Sequence, residues 1–384
     1  MGGPPPGERE LRLDLFRGLA LWLIFVDHLP PNLFTWLTIR NYGFSDATEI
    51  FIFISGYTAA FVYGRAMTDR GFVVASARIL KRVWQIYVAH VFLFAIYLAE
   101  IAWVAHSFDN PLYTEEMGVL DFLRNPDVTI IQALLLKFKP VNMDVLPLYI
   151  MLLVGFSPVL WLLLRAPSMA LIASGVVYGL MYKFGWNIPA YPNGVWVFNP
   201  FAWQLLFVFG AWCALGGAKR LALVLNSRVT IALAIAYLAF AFFVAMTWYF
   251  PRAAVLLPHI IGDNIYPIDK TNLDVLRILH FLSLAVIVVN FVPKDWPALR
   301  SPVFAPAILC GQHSLAIFCL GVFLAFAGHF VFTEVSNRLL THVIVSAVGI
   351  GVMVATAAVL TWYKNIERGP RPPTVKPGFA GGDA

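Results

Sequence analysis

The chain has 384 residues, of which 60% are hydrophobic and only 12% charged. Soluble domains carry about 25% charged residues, so this composition excludes an ordinary soluble enzyme and predicts an all-α, polytopic integral membrane protein. The net charge of +6 suggests nucleic acid only until its placement is followed; it tracks membrane topology, and no RNA- or DNA-binding motif accompanies it.

Residues 1–10, MGGPPPGERE, read as a flexible leader, residues 11–363 as the membrane domain, and residues 364–384, rich in Pro and Gly, as a disordered cytoplasmic tail. Ten apolar segments are predicted to cross the bilayer, at about 11–29, 45–64, 79–105, 144–164, 168–184, 198–216, 229–250, 272–292, 303–330 and 336–363. With the N-terminus placed in the cytoplasm, 18 of the 27 Lys and Arg residues fall on the cytoplasmic side. Both termini are therefore expected inside, and the lipid bilayer is the first partner.

The first segment, LRLDLFRGLALWLIFVDHL, carries Arg17 near one end and His28 at the other. A charge near the middle of a membrane helix costs at least about 2.5–3.5 kcal/mol, so such groups usually face a polar cavity or a partner. Eleven helical steps of about 100° bring His28 back to within about 20° of Arg17, roughly 16 Å away along the axis. One face could thus hold a long anionic ligand with its charged end at Arg17 and its reactive end at His28. The alternative is that Arg17 snorkels to the interface and His28 is an ordinary helix-end residue.

The second segment opens with Asp46 and Glu49. On the assumed topology both lie on the outer side with His28. A carboxylate there could orient the imidazole as a general base, and Asp46 with Glu49 is also good helix-capping chemistry. Ser55-Gly56 sits mid-helix, where close helix packing is the default use. The connection that follows holds Arg65, Arg70, Arg78, Lys81 and Arg82. The inside-positive bias accounts for such a cluster, and a nucleotide-phosphate site is the sharper alternative.

Two long connections fall outside, at about 106–143 and 251–271, the second carrying three prolines and able to dip into a cavity. Asp144 opens the fourth segment, again on the outer side. The eighth carries Lys270, Asp274, Arg277 and His280 on one face, so Asp274–Arg277 could be a structural pair or Arg277 could receive an anionic group. His313 lies about ten residues into the ninth segment, where a hydrogen bond to another helix is its usual role. Among the 12 tryptophans most suit interface anchoring, and Trp186, Tyr191, Trp196 and Trp203 are candidates for stacking on sugar rings. Cys213, Cys310 and Cys319 lie in apolar segments without CxxC or HExxH spacing, so no disulfide framework and no metal site is expected.

The Arg17-x10-His28 spacing resembles the signature of the membrane acyltransferase-3 superfamily, and Glu49-Ile-Phe-Ile-Phe-Ile-Ser55-Gly56-Tyr57 resembles its second-helix acidic motif. Glu stands where Asp is common, and Ile52 replaces a Phe. The blocks RLDLFRGLALWLIFVDHLP, FSDATEIFIFISGY, NMDVLPLY, NPFAWQLLFVFG, KTNLDVLRILHFLSLA and GQHSLAIFCLG, in order across the chain, are similar to the OpgC branch. That resemblance implies a ten-helix bacterial inner-membrane enzyme with no permanently bound cofactor. It would use cytoplasmic succinyl-CoA to acylate periplasmic glucans.

By the same resemblance His28 is the acyl-transfer histidine, with Glu49 or Asp46 as its acidic partner, and Arg17 lies on the acyl-CoA path. The residue chemistry then assigns Arg65, Arg78, Lys81 and Arg82 to the CoA phosphates. Arg277 is the candidate for the succinyl carboxylate, with His280, Asp144 and His313 as further acyl or glycan contacts. A transporter or flippase for a glycan or anion is the rival reading.

Overall fold

The computed structural model describes residues 10–29, 32–110, 112–250, 252, 255 and 265–367. Most of the expected leader and tail, and most of 251–264, lie outside these. Among the described residues the chain is helical without a strand; only an isolated bridge joins Pro189 and Val195.

Every predicted apolar segment is helical. The long elements are α1 Leu11–Asp27, α2 Ala47–Ser107, α3 Val145–Val154, α4 Phe156–Arg165, α5 Pro167–Phe184, α6 Pro200–Trp212, α7 Arg228–Tyr249, α8 Val275–Phe291, α9 Ala305–Gln312, α10 Ser314–Phe330 and α11 Leu339–Glu367. Among the described residues five helices are long and apolar enough to cross a membrane: Ala47–Ser107, Pro200–Arg220, Arg228–Tyr249, Ser314–Val335 and Leu339–Glu367. The pair α3 and α4, bent by 55°, passes the same test as one broken span.

The boundary that sequence reading misplaces is the connection at 65–78, which is helical throughout. It joins the second and third apolar segments into one run, interrupted only at Gly71, whose φ of 85° lies where an L side chain is strained. The polar stretch RAMTDRG has few helix breakers, so low hydropathy there marks a change of solvent and not an end of helix. Elsewhere the ends follow local chemistry. Asn199 caps α6, its side chain accepting from the Phe201 N–H at 3.1 Å, and Pro200 fills the first turn.

α1 is the axial helix. It packs against α9, α10 and α2, and buries Leu15, Leu21, Ile24 and Phe25. Two crossings are set by glycine pairs. A Cβ on Gly18 would lie 1.8 Å from Ala307 O, and one on Gly311 1.9 Å from Asp14 O. Likewise a Cβ on Gly56 would meet Phe207 O at 2.0 Å and one on Gly210 Phe53 O at 2.2 Å. Gly56 is therefore a packing residue, as its default use predicts. Large apolar side chains such as Phe92, Trp103, Leu233 and Trp362 stand exposed on the outer faces of the bundle. In water such a surface would be an aggregation liability; in hydrocarbon it is the solvated face.

The helix ends sort into two groups. At one end of the bundle Ser45 meets His280, Asn199 meets Asn272, Tyr249 meets Asn41, Leu33 meets His342 and Tyr113 meets Glu334. At the other, Arg12 reaches Val292 O and Lys294 reaches Glu10. His28 belongs to the first group and Arg17 lies toward the second.

Candidate active site along the first helix

Asp46 begins the construction of the His28 end. Its side chain accepts from the Thr48 N–H at 2.8 Å, while Glu49 Oε2 accepts from the Asp46 N–H at 3.0 Å, a capping box that starts α2. The remaining carboxylate oxygens face α8. Glu49 Oε1 accepts from Arg277 Nε at 2.8 Å and lies 2.6 Å from Nη2. Asp46 Oδ2 lies 3.2 Å from Arg277 Nη2 and 2.6 Å from Lys270 Nζ. Glu49 is wholly buried, so Arg277 is the charge that makes its ionised form tolerable. Two carboxylates and two cations thus tie the start of α2 to the start of α8.

This arrangement corrects three sequence expectations. Arg277 pairs with Glu49 and Asp46 across the fold and not with Asp274, which caps α8 by accepting from the Leu276 N–H at 2.8 Å. A donor carboxylate would have to displace two protein carboxylates to reach the Arg277 guanidinium. The His28 ring is oriented by its own helix: Nδ1 lies 2.6 Å from Ile24 O. Among the described residues it has no hydrogen bond to Asp46 or Glu49. A carbonyl only accepts, so Nδ1 carries a proton, and in the neutral ring Nε2 keeps its lone pair. The ring is half-buried and opens on a narrow cleft of about 10 Å³ lined by Leu21, Phe25, Phe318 and Gly321, room for about one water.

Phe318 also lines a cavity of about 310 Å³, walled by Arg17, Ser55, Thr58, Tyr63, Arg82 and Tyr149. Arg17 lies 3.3 Å from Ile54 O and 3.8 Å from Asp14 Oδ1, and also donates to Thr58 Oγ1. Phe318 stacks on Phe51, centroids 5.9 Å apart, and lines both spaces. The face carrying Arg17 and His28 therefore has a cavity with polar walls at one end and the imidazole at the other, and Phe318 lines both spaces.

Of the other proposed phosphate contacts only Arg82 reaches this cavity. Arg65 forms an exposed pair with Asp69 at 3.7 Å, and Arg78 and Lys81 are exposed outside the cavity. Arg82 also borders a groove of about 660 Å³, mostly apolar, where His313 Nε2 lies 2.7 Å from Thr361 Oγ1. His313 stands at the break between α9 and α10, away from the Asp46 cluster.

His280 Nδ1 is engaged by Ser45 Oγ at 2.7 Å and its ring packs on Gly43, so it braces the loop before α2. Asp144 lies 3.9 Å from Lys139 Nζ, which also sits 4.2 Å over the Trp196 ring. Burial pushes Lys139 down to about 8, against the pull of the Asp144 carboxylate. Trp196 and Trp203 are core residues, the latter donating to Lys270 O and Thr271 O, and neither offers a face to a sugar.

Sequence reasoning missed Tyr149, Tyr63 and Thr58 in the Arg17 cavity. It also missed an open pocket of about 450 Å³ beside Asp46 and Lys270, lined with Arg40, Asn41, Trp248, Tyr249 and Tyr266. Each comes from a distant stretch, and no local motif marks it.

Neither the curated proteins nor the solved structures contain a match to the chain. The profile of one protein family, described as OpgC protein, matches residues 9–365. That match takes in α1, the capping box of α2, α8 and every helix between and beyond, so the chain belongs to the OpgC protein family.

Proposed function

We propose that the protein is a membrane O-acyltransferase of the bacterial inner membrane. It moves a succinyl group from cytoplasmic succinyl-CoA to hydroxyls of a periplasmic glucan. The observation that carries this reading is α1 itself: one helix face presents Arg17 to a polar cavity and, at the opposite end, His28, whose Nδ1 is held by the Ile24 carbonyl so that Nε2 is the nitrogen left to act. Family membership over residues 9–365 supports the acyltransferase class. The excess of Lys and Arg in the connections on the Arg17 side supports ten crossings with both termini and that cavity facing the cytoplasm.

The chemistry follows from the ring. The thioester arm enters past Arg82 and Arg17, and the acceptor hydroxyl approaches from the His28 side. Nε2 takes the hydroxyl proton as the oxygen attacks the thioester carbonyl. The tetrahedral adduct then expels the CoA thiolate, which takes the proton back from the imidazolium. An ester and a free thiol result. No enzyme nucleophile is required, and Phe318 must swing aside for the carbonyl to meet the ring.

Purified protein in detergent, given succinyl-CoA and a glucan, should release CoA thiol and acylate the sugar, and His28→Ala should do neither. Release of thiol at the wild-type rate by the variant would sink the assignment. A purified wild type that binds succinyl-CoA without cleaving or transferring it would favour a carrier.

A further inference from the structure

We infer that the pocket walled by Trp248, Tyr266, Asn41, Arg40, Asp46 and Lys270 is the acceptor subsite, and that it takes a neutral oligosaccharide by stacking on the two aromatic rings. The identity of that sugar as acceptor rests on the acyltransferase reading; the existence of the site does not.

The pocket, about 450 Å³, is of ligand size and lies between the 3₁₀ turn Ile39–Asn41, the end of α7 and the approach to α8. Trp248 and Tyr266 stand edge to face, centroids 4.9 Å apart, and Trp248 is two-thirds exposed. The Tyr249 hydroxyl donates to Asn41 Oδ1 at 2.7 Å, fixing the rim opposite. Aromatic faces supply apolar area with little flexibility, and sugar rings present C–H faces that match them.

The polar groups argue for a neutral ligand. Lys270 and Arg277 are matched by Asp46 and Glu49, so most of the charge at the floor is already neutralised within the protein. A polyphosphate would find no cluster of unmatched cations here, and a lipid chain would strand the buried polar groups. Hydroxyls, which both donate and accept, suit Asn41 and the edges of the ion cluster.

The location fits the chemistry. Arg40 Nη1 lies 3.4 Å from the backbone oxygen of Asp27, the residue before His28. The pocket wall is therefore attached to the end of α1 that carries the proposed base. Anchoring of the helix end in the headgroup region is the competing use of Trp248, and it makes no demand on Tyr266, Asn41 or Arg40.

The test is saturation-transfer NMR on the purified full chain in detergent, without any acyl-CoA, using a panel of glucose tetrasaccharides that differ in linkage. At least one should bind. Trp248→Ala and Tyr266→Ala should each weaken it about ten-fold, and Trp248→Phe should keep affinity within about three-fold of wild type. Trp103→Ala, an exposed tryptophan outside the pocket, should bind as wild type. In turnover, Trp248→Ala should raise the KM for sugar and not that for succinyl-CoA. The inference is overturned if the wild type binds no member of the panel, if both alanine variants bind normally, or if Trp103→Ala loses as much. A wild type that binds sugar yet never cleaves succinyl-CoA would defeat the acyltransferase reading and leave the subsite standing.

Discussion

Nδ1 of His28 is engaged by a backbone carbonyl, so any proton the ring accepts arrives at Nε2. Loss of a positioned base costs about 10²–10⁴ in rate, so His28→Gln should lower transfer by at least that much while the protein still elutes as a folded species from size exclusion. Arg277 behaves differently. Removing it leaves the buried Glu49 carboxyl without its cation, and breaking such a buried pair costs about 3–5 kcal/mol, so Arg277→Ala should lower thermal stability in detergent and impair succinyl and acetyl donors alike. Adding Glu49→Gln should recover part of the loss; a selective defect with succinyl-CoA and unchanged stability would contradict the pairing. Lys139 supplies a pH signature. Its pKa is lowered to about 8, below the roughly 10.4 of an unfolded lysine. Between about pH 8 and 10 the unfolded chain holds that proton and the native chain does not, so the contribution of this group to stability rises with pH. Lys139→Met should flatten the stability profile across that window.

At the scale of the helices, the glycine crossings and the aromatic divider make separate demands. A methyl group on Gly18 would run into the backbone of α9, as one on Gly311 would into that of α1. Overpacking of this kind costs about 1–3 kcal/mol or more, so Gly18→Ala should melt measurably earlier than wild type. Phe318→Ala should join the Arg17 cavity to the His28 cleft and speed acceptor-independent hydrolysis of succinyl-CoA, since water could then follow the thioester. Unchanged hydrolysis would mean that Phe318 does not separate the two spaces. How much of this was legible differs by element. The ten apolar segments, the axial face joining Arg17 to His28 and the capping residues Asp46 and Glu49 could be read directly, because helical period and capping are local rules. The Arg277–Glu49 pair spans 228 positions, and the pocket draws on residues 40–46, 245–249 and 266–277; only packing brings those together. Helicity through 65–78 was missed because hydropathy reports burial in lipid and not backbone conformation.

Over the whole molecule the two groups of helix ends define two faces. One holds the Arg17 cavity near Arg82, the other the pocket proposed for sugar near Lys270, and transfer through the bundle requires that they open to opposite compartments. The most direct measurement uses sealed inverted membrane vesicles containing the protein, with glucan trapped inside and radiolabelled succinyl-CoA added outside. Labelled glucan should accumulate inside with wild-type protein and be absent with His28→Ala, while external succinyl-CoA stays excluded from the lumen. Labelling that requires donor and glucan on the same side, or that persists without the imidazole, would contradict a transfer completed through the bundle at His28.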